Sequence, residues 1–179
     1  MKVKTALLSL IVAALAAGLS APTRAVAPRR AGQAAQKSAP RQEDKKEQDT
    51  ERRVRMRDLP APVQQTVREQ SKGAVIRGLA QETEAGLTNY EVELRVNGHT
   101  KDVLIDPTGA VVEIEEQVAL ASLPPAARAA IEQQAGKGKI GVVESITKAG
   151  AVVAYEAHVR KARKTLEIKV DPNGQAVTP

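Results

Sequence analysis

The sequence predicts an α+β fold: two tandem repeats, each one helix followed by about four antiparallel strands, with both helices packed on one face of the sheet. Three observations lead there. Residues 58–179 align with themselves at an offset of 64 to 65, each copy opens with apolar residues spaced four apart, and beyond that stretch the apolar period falls to two.

The chain is taken in order. Lys2 and Lys4 precede a run from Ala6 to Leu19 that is almost wholly apolar and ends in small residues, the pattern of a secretory leader. Such a run is shorter than the roughly 20 residues that span a bilayer as a helix, so residues 1–25 are expected to be a cleaved signal peptide. Thr23-Arg24-Ala25 places small residues at −3 and −1, making Ala25 the preferred end of the leader, with Ser20 second in a window that closes at Ala27. No Cys follows to take a lipid, so the mature chain is expected to be soluble, secreted or periplasmic.

Residues 26–57 hold ten Lys and Arg against five Asp and Glu, a net charge of +5, with almost nothing apolar to bury. Such a composition cannot offset the entropy of ordering, so a disordered basic linker is expected. It suits a weak, salt-sensitive contact with an anionic surface.

Residues 58–121 form the first repeat and 122–179 the second. Leu59-Pro60 matches Leu123-Pro124, Val67 matches Ile131, Ile76 matches Ile140 and Gly86 matches Gly150; after one inserted residue, Tyr90-Glu91 matches Tyr155-Glu156 and Asp106-Pro-Thr-Gly109 matches Asp171-Pro-Asn-Gly174. The two tyrosines, the only ones in the chain, thus fall at equivalent positions. Leu59, Val63 and Val67, and likewise Leu123, Ala127 and Ile131, mark one helix face each. Asp58 and Ser122 are the expected N-caps, Pro60 and Pro124 sit in the first turn, and Gly73 and Gly136 close the helices. Strands are expected at about 74–83 and 139–147. Then Tyr90, Val92, Leu94 and Val96 alternate with Glu91, Glu93 and Arg95; Val153, Tyr155, Ala157 and Val159 alternate with Ala154, Glu156, His158 and Arg160; Leu166, Ile168 and Val170 alternate with Glu167 and Lys169. Asn97-Gly98 suits a type I′ hairpin, and the two Asp-Pro-x-Gly segments suit type I turns that lead into short final strands at about 110–115 and 175–178.

A copy of about 60 residues without disulfides is marginal alone, so the two are expected to share one sheet or core. The first copy is net acidic and the second net basic. Glu113, Glu115 and Glu116 are therefore natural partners for Arg160, Lys161, Arg163 and Lys164.

The frame of Leu59-Pro60, a Gly, an Ile strand, Tyr90-Glu91-Val92-Glu93-Leu94, Gly98, Val103-Leu104-Ile105-Asp106 and Gly109-Ala110-Val111, repeated in the second copy, resembles the PepSY-like domain family in tandem. That resemblance implies a small envelope or secreted α+β module with binding or inhibitory roles. The tandem plan is also similar to that of the β-lactamase-inhibitory protein. In inhibitors of that kind aromatic residues stand on the open sheet face, whereas here both tyrosines share the strand parity of the buried aliphatics, an arrangement that does not favour tight inhibition.

Little chemistry is on offer. The chain has no Cys, Trp or Phe and two His. The folded part is net acidic and lacks stacking aromatics, so nucleic-acid binding is not expected. No nucleophile elbow, His-Glu-x-x-His, phosphate loop or dinucleotide fingerprint occurs, and Gly136-Lys137-Gly138-Lys139 reads as a helix exit. His99 and His158 have no third nitrogen or sulfur ligand in reach by sequence, so neither metal nor cofactor is expected. The reading is a non-enzymatic exported binding module that contacts a secreted or envelope protein through its sheet face or edge. The candidate surface is Glu91, Glu93, Arg95, Glu156, His158 and Arg160. Alternatives are an inhibitor of a secreted hydrolase, of peptidase or β-lactamase type, and a structural or sensory envelope component.

Overall fold

Residues Thr50–Val177 are described by the computed structural model. The expected leader and most of the expected linker, residues 1–49, lie outside the described residues, as do the last two positions of the chain. Among the described residues no helix is long and apolar enough to cross a membrane.

Strand β1 (Thr50–Arg53) comes first, followed by a 3₁₀ turn at Met56–Asp58 and helix α1 (Ala61–Gln70). Four strands follow: β2 (Val75–Glu84), β3 (Leu87–Val96), β4 (His99–Ile105) and β5 (Val111–Gln117). The pattern then returns with a 3₁₀ turn at Leu120–Ser122, helix α2 (Pro125–Ala135), β6 (Lys139–Lys148), β7 (Ala151–Lys161) and β8 (Lys164–Val170). All eight strands form one antiparallel sheet in sequence order.

The tight turns follow local chemistry. Asn97 and Gly98 both adopt positive φ, as do Ala85-Gly86 and Ala149-Gly150, which is the twist that a two-residue hairpin requires. In the Asp106 turn one carboxylate oxygen accepts hydrogen bonds from the Thr108 and Ala110 amides and the Thr108 hydroxyl, and Asp171 receives the Asn173 and Gln175 amides in the same way. Gly109 lies against Pro62 and Gly174 against Ala126, so each turn docks on the first turn of a helix.

The core lies on one face of the sheet, in two clusters. Leu59, Val63 and Val67 of the α1 region cover Val92, Leu94, Val103 and Ile105. Leu123, Ala127, Ile131 and Ala135 of the α2 region cover Val143, Ala157, Val159, Ile168 and Val170. Tyr90 and Tyr155 are half-buried against these clusters, on the side that the period-two pattern assigns them.

Several expectations change. Residues 50–57, expected within the linker, are a strand and part of a 3₁₀ turn; β1 carries no apolar residue, and backbone pairing to β2 holds it. Pro60 and Pro124 take the N-cap positions without any side-chain cap. Asp58 instead pairs with Arg55 at 2.7 Å, and the Ser122 hydroxyl donates to the Ala119 carbonyl at 2.7 Å. Helix α1 ends at Gln70, with Gly73 in the turn beyond, whereas Gly136 caps α2 as expected. The strand expected at 175–178 reduces to a bridge between Val170 and Ala176. The halves of the sheet meet through backbone pairing of β5 with β6, and Glu113 and Glu116 find Lys148 (2.7 Å) and Lys101 (3.5 Å) rather than the basic residues of the β7–β8 hairpin.

Candidate functional site

With α1 and α2 on one side, the other face of the sheet has no helix over it among the described residues, and alternation decides what stands there. On β3 the residues opposite to Val92 and Leu94 are Glu91, Glu93 and Arg95; on β4 they are Thr100, Asp102 and Leu104; on β5, Glu113, Glu115 and Gln117. The second half contributes Glu144 and Ile146 from β6, Ala154, Glu156, His158 and Arg160 from β7, and Thr165, Glu167 and Lys169 from β8.

Cross-strand register concentrates negative charge. Glu93 faces Asp102, and Asp102 faces Glu115, so three acids stand in a row across β3, β4 and β5. Like charges directly opposite one another oppose pairing, and a fold retains them at some cost. Glu91 and Glu113 lie on either side of Leu104 in the next row. The Glu93 carboxylate rests over Gly78, where a side chain on β2 would displace it.

This face is not simply solvated. Ala80, Ile146 and Ala154 are buried on it, and Asp102 and Glu144 are among the most buried polar residues of the fold. Burial accordingly pushes the Glu91 carboxyl up to about 9, reinforced by Glu82, Asp102 and Glu93. Glu82 is also raised, chiefly by burial, while its hydrogen bond from Glu91 favours its charged form. Glu115 is pushed up to about 8 by burial, then by Glu113, Glu156 and Glu144. At neutral pH Glu91 therefore holds a proton and donates it in a hydrogen bond to Glu82.

On β7, Glu156 pairs with Lys169 at 2.8 Å across to β8. The His158 ring lies among carboxylates: its Nε2 is 3.5 Å from Glu144 and 3.7 Å from Glu156, and its Nδ1 is 3.8 Å from Glu167. Glu144, foremost, holds the imidazole above its usual range, against the opposing effect of burial.

Four of the six residues expected to form the candidate surface fall into two groups, Glu91 with Glu93 and Glu156 with His158, and Glu115 couples electrostatically to the second. Arg95 and Arg160 lie apart, exposed toward hairpin ends, where Arg95 donates to the Gly98 carbonyl at 2.7 Å. Asp102 and Glu144 were missed by sequence reasoning, and Glu115 was read only as a partner for the basic residues of the second repeat. The signal available was parity alone, since Asp102 alternates with Val103 and Ile105 just as Glu91 alternates with Val92.

Solved structures of similar fold come from Bacteroides. A Bacteroides eggerthii protein, proposed to be periplasmic, matches with a TM-score of 0.55 at 18% identity, over 67% of this chain and 86% of its own. DUF2874 family proteins of Bacteroides ovatus and Bacteroides uniformis give TM-scores of 0.52 and 0.53 at 20% and 19% identity, over 67% of this chain and 85% and 87% of theirs. No family model matches the chain, the PepSY-like one included, and no curated protein matches it. At these identities the likeness is one of fold, an α+β unit with an open antiparallel sheet.

Proposed function

We propose that this chain is a periplasmic, non-enzymatic binding module that holds another exported protein against the open face of its sheet. The observation that carries the reading is the row Glu93–Asp102–Glu115, three acids opposed across adjacent strands on the face that no described helix covers. Glu93 and Glu115 flank the buried Asp102, and a partner presenting Lys or Arg to this face favours the charged forms of such carboxylates. The leader expected from the sequence and the location proposed for the Bacteroides eggerthii protein of similar fold support a periplasmic site of action. In this reading the fold descends from a duplicated PepSY-like module. Support comes from the matched frame of residues and from the two Asp-Pro-x-Gly turns, each with its glycine against the first turn of its own helix.

The test is capture from a periplasmic extract by the full mature chain, followed by affinity measurement with the captured protein. Glu93→Lys with Glu115→Lys should weaken binding at least tenfold, and added salt should weaken binding to the native chain. Removal of residues 26–49 should leave it unchanged. Equal binding by the charge-reversed variant would refute the sheet-face reading, and loss on removing the arm would transfer the role to the basic segment. Stoichiometric blockade of a captured hydrolase would make the module an inhibitor.

A further inference from the structure

We propose that Glu156, His158 and Glu167 form a site for a divalent transition-metal ion of the zinc class. Glu156 and His158 are two apart on β7 and therefore share a face, and Glu167 stands directly opposite His158 on β8. The set is built on two paired strands rather than on a loop. One ligand atom from each residue lies within 4.8 Å of the others. Around a tetrahedral ion with bonds of about 2.1 Å, ligand atoms are roughly 3.4 Å apart, so small side-chain rotations gather this set on one ion and leave a position for water.

Carboxylates stand on both sides of the ring. The ring nitrogens stand 3.5 to 3.8 Å from the three carboxylate oxygens around them.

The surroundings orient the carboxylates from outside the cluster. Lys169 Nζ holds Oε2 of Glu156 at 2.8 Å, so that Oε1 faces His158. Thr100 donates from β4 to Oε1 of Glu144 at 3.1 Å, and Oε2 of that Glu, whose side chain is 5% exposed, faces Nε2. Metal ligands are characteristically aimed by such outer partners, and a buried extra carboxylate adds negative charge beside the ion. An imidazole ligand selects a borderline metal such as zinc over calcium, which needs six or more oxygens. Sequence reasoning found no third nitrogen or sulfur ligand; cross-strand pairing supplies a carboxylate instead.

The full mature chain is titrated with Zn²⁺ by calorimetry and with Co²⁺ by visible absorption. One equivalent should bind, with the intense d–d bands of a four-coordinate site, and Zn²⁺ should raise the unfolding temperature. His158→Gln and Glu167→Gln should each weaken binding at least tenfold, and Glu51→Gln, in β1, should not. Circular dichroism of each variant checks that the fold is retained, and Glu167, at the exposed end of the cluster, provides a variant that leaves the core untouched. Binding by both variants equal to that of the native chain, no saturable binding of Zn²⁺ or Co²⁺, or Ca²⁺ binding as tight as Zn²⁺ would overturn the assignment.

Discussion

Replacing Glu91 with Gln should stabilise the protein, by an amount that grows with pH. Ala80 on β2 and Leu104 on β4 stand directly opposite Glu91, and the acids around it are Glu82, Glu93 and Asp102. Its carboxyl is raised from 4.5 to about 9 in the fold, chiefly by burial. A group raised on folding contributes its full stability below the unfolded value and loses it as pH climbs through the folded value. Each pH unit in that window costs about 1.4 kcal/mol, so the native fold forfeits about 3 kcal/mol by pH 7 and about 6 kcal/mol by pH 9, upper limits because Glu82 shares the proton. Gln keeps the shape and the hydrogen-bond donor to Glu82 and never ionises. Urea unfolding at pH 5, 7 and 9 should give nearly equal stabilities for the two proteins at pH 5 and a widening advantage for Glu91→Gln above it. A variant no more stable than the native protein at pH 7, or one that keeps the native slope between pH 5 and 9, would refute the account of Glu91 as a protonated, burial-shifted acid.

Three further outcomes follow from the packing. Gly109→Ala and Gly174→Ala should each lower stability by about 1–3 kcal/mol in chemical denaturation, because both positions have positive φ and a Cβ would meet Pro62 or the Ala126 carbonyl. Ile131→Ala, at a fully buried position on the sheet-facing side of α2, should cost about 2–5 kcal/mol. Combined with Val67→Ala, which lies in the other cluster, its cost should add to within about 0.5 kcal/mol, as thermodynamic cycles on unfolding will measure.

Much of the fold is legible in the sequence. Val63 and Val67 four apart, Val92 and Leu94 two apart, and Asn97-Gly98 between strands each express a local rule, and each element formed where its rule placed it. The misses have a common cause. β1 is Thr-Glu-Arg-Arg, with no side-chain pattern to read, and forms because the β2 edge offers unpaired backbone groups. Asp58 and Ser122 are good caps in isolation, yet the preceding 3₁₀ turns engage them first.

What the residues determined alone is the period of each segment, and hence which side chains share a face: Glu91 and Glu93 opposite Val92, and Glu156 and His158 opposite Ala157. Only the tertiary structure decided which of these meet. Register, shifted by the irregularity at Leu104/Ile105 in the β4–β5 pairing, sets Asp102 against Glu115, and the β7–β8 hairpin sets Glu167 against His158. The reason is physical: alternation is a property of one extended chain, whereas proximity across a sheet depends on hydrogen bonds between strands far apart in sequence. Burial on that face, which keeps Glu91 protonated at neutral pH, likewise arises only when its neighbours from other strands exclude water.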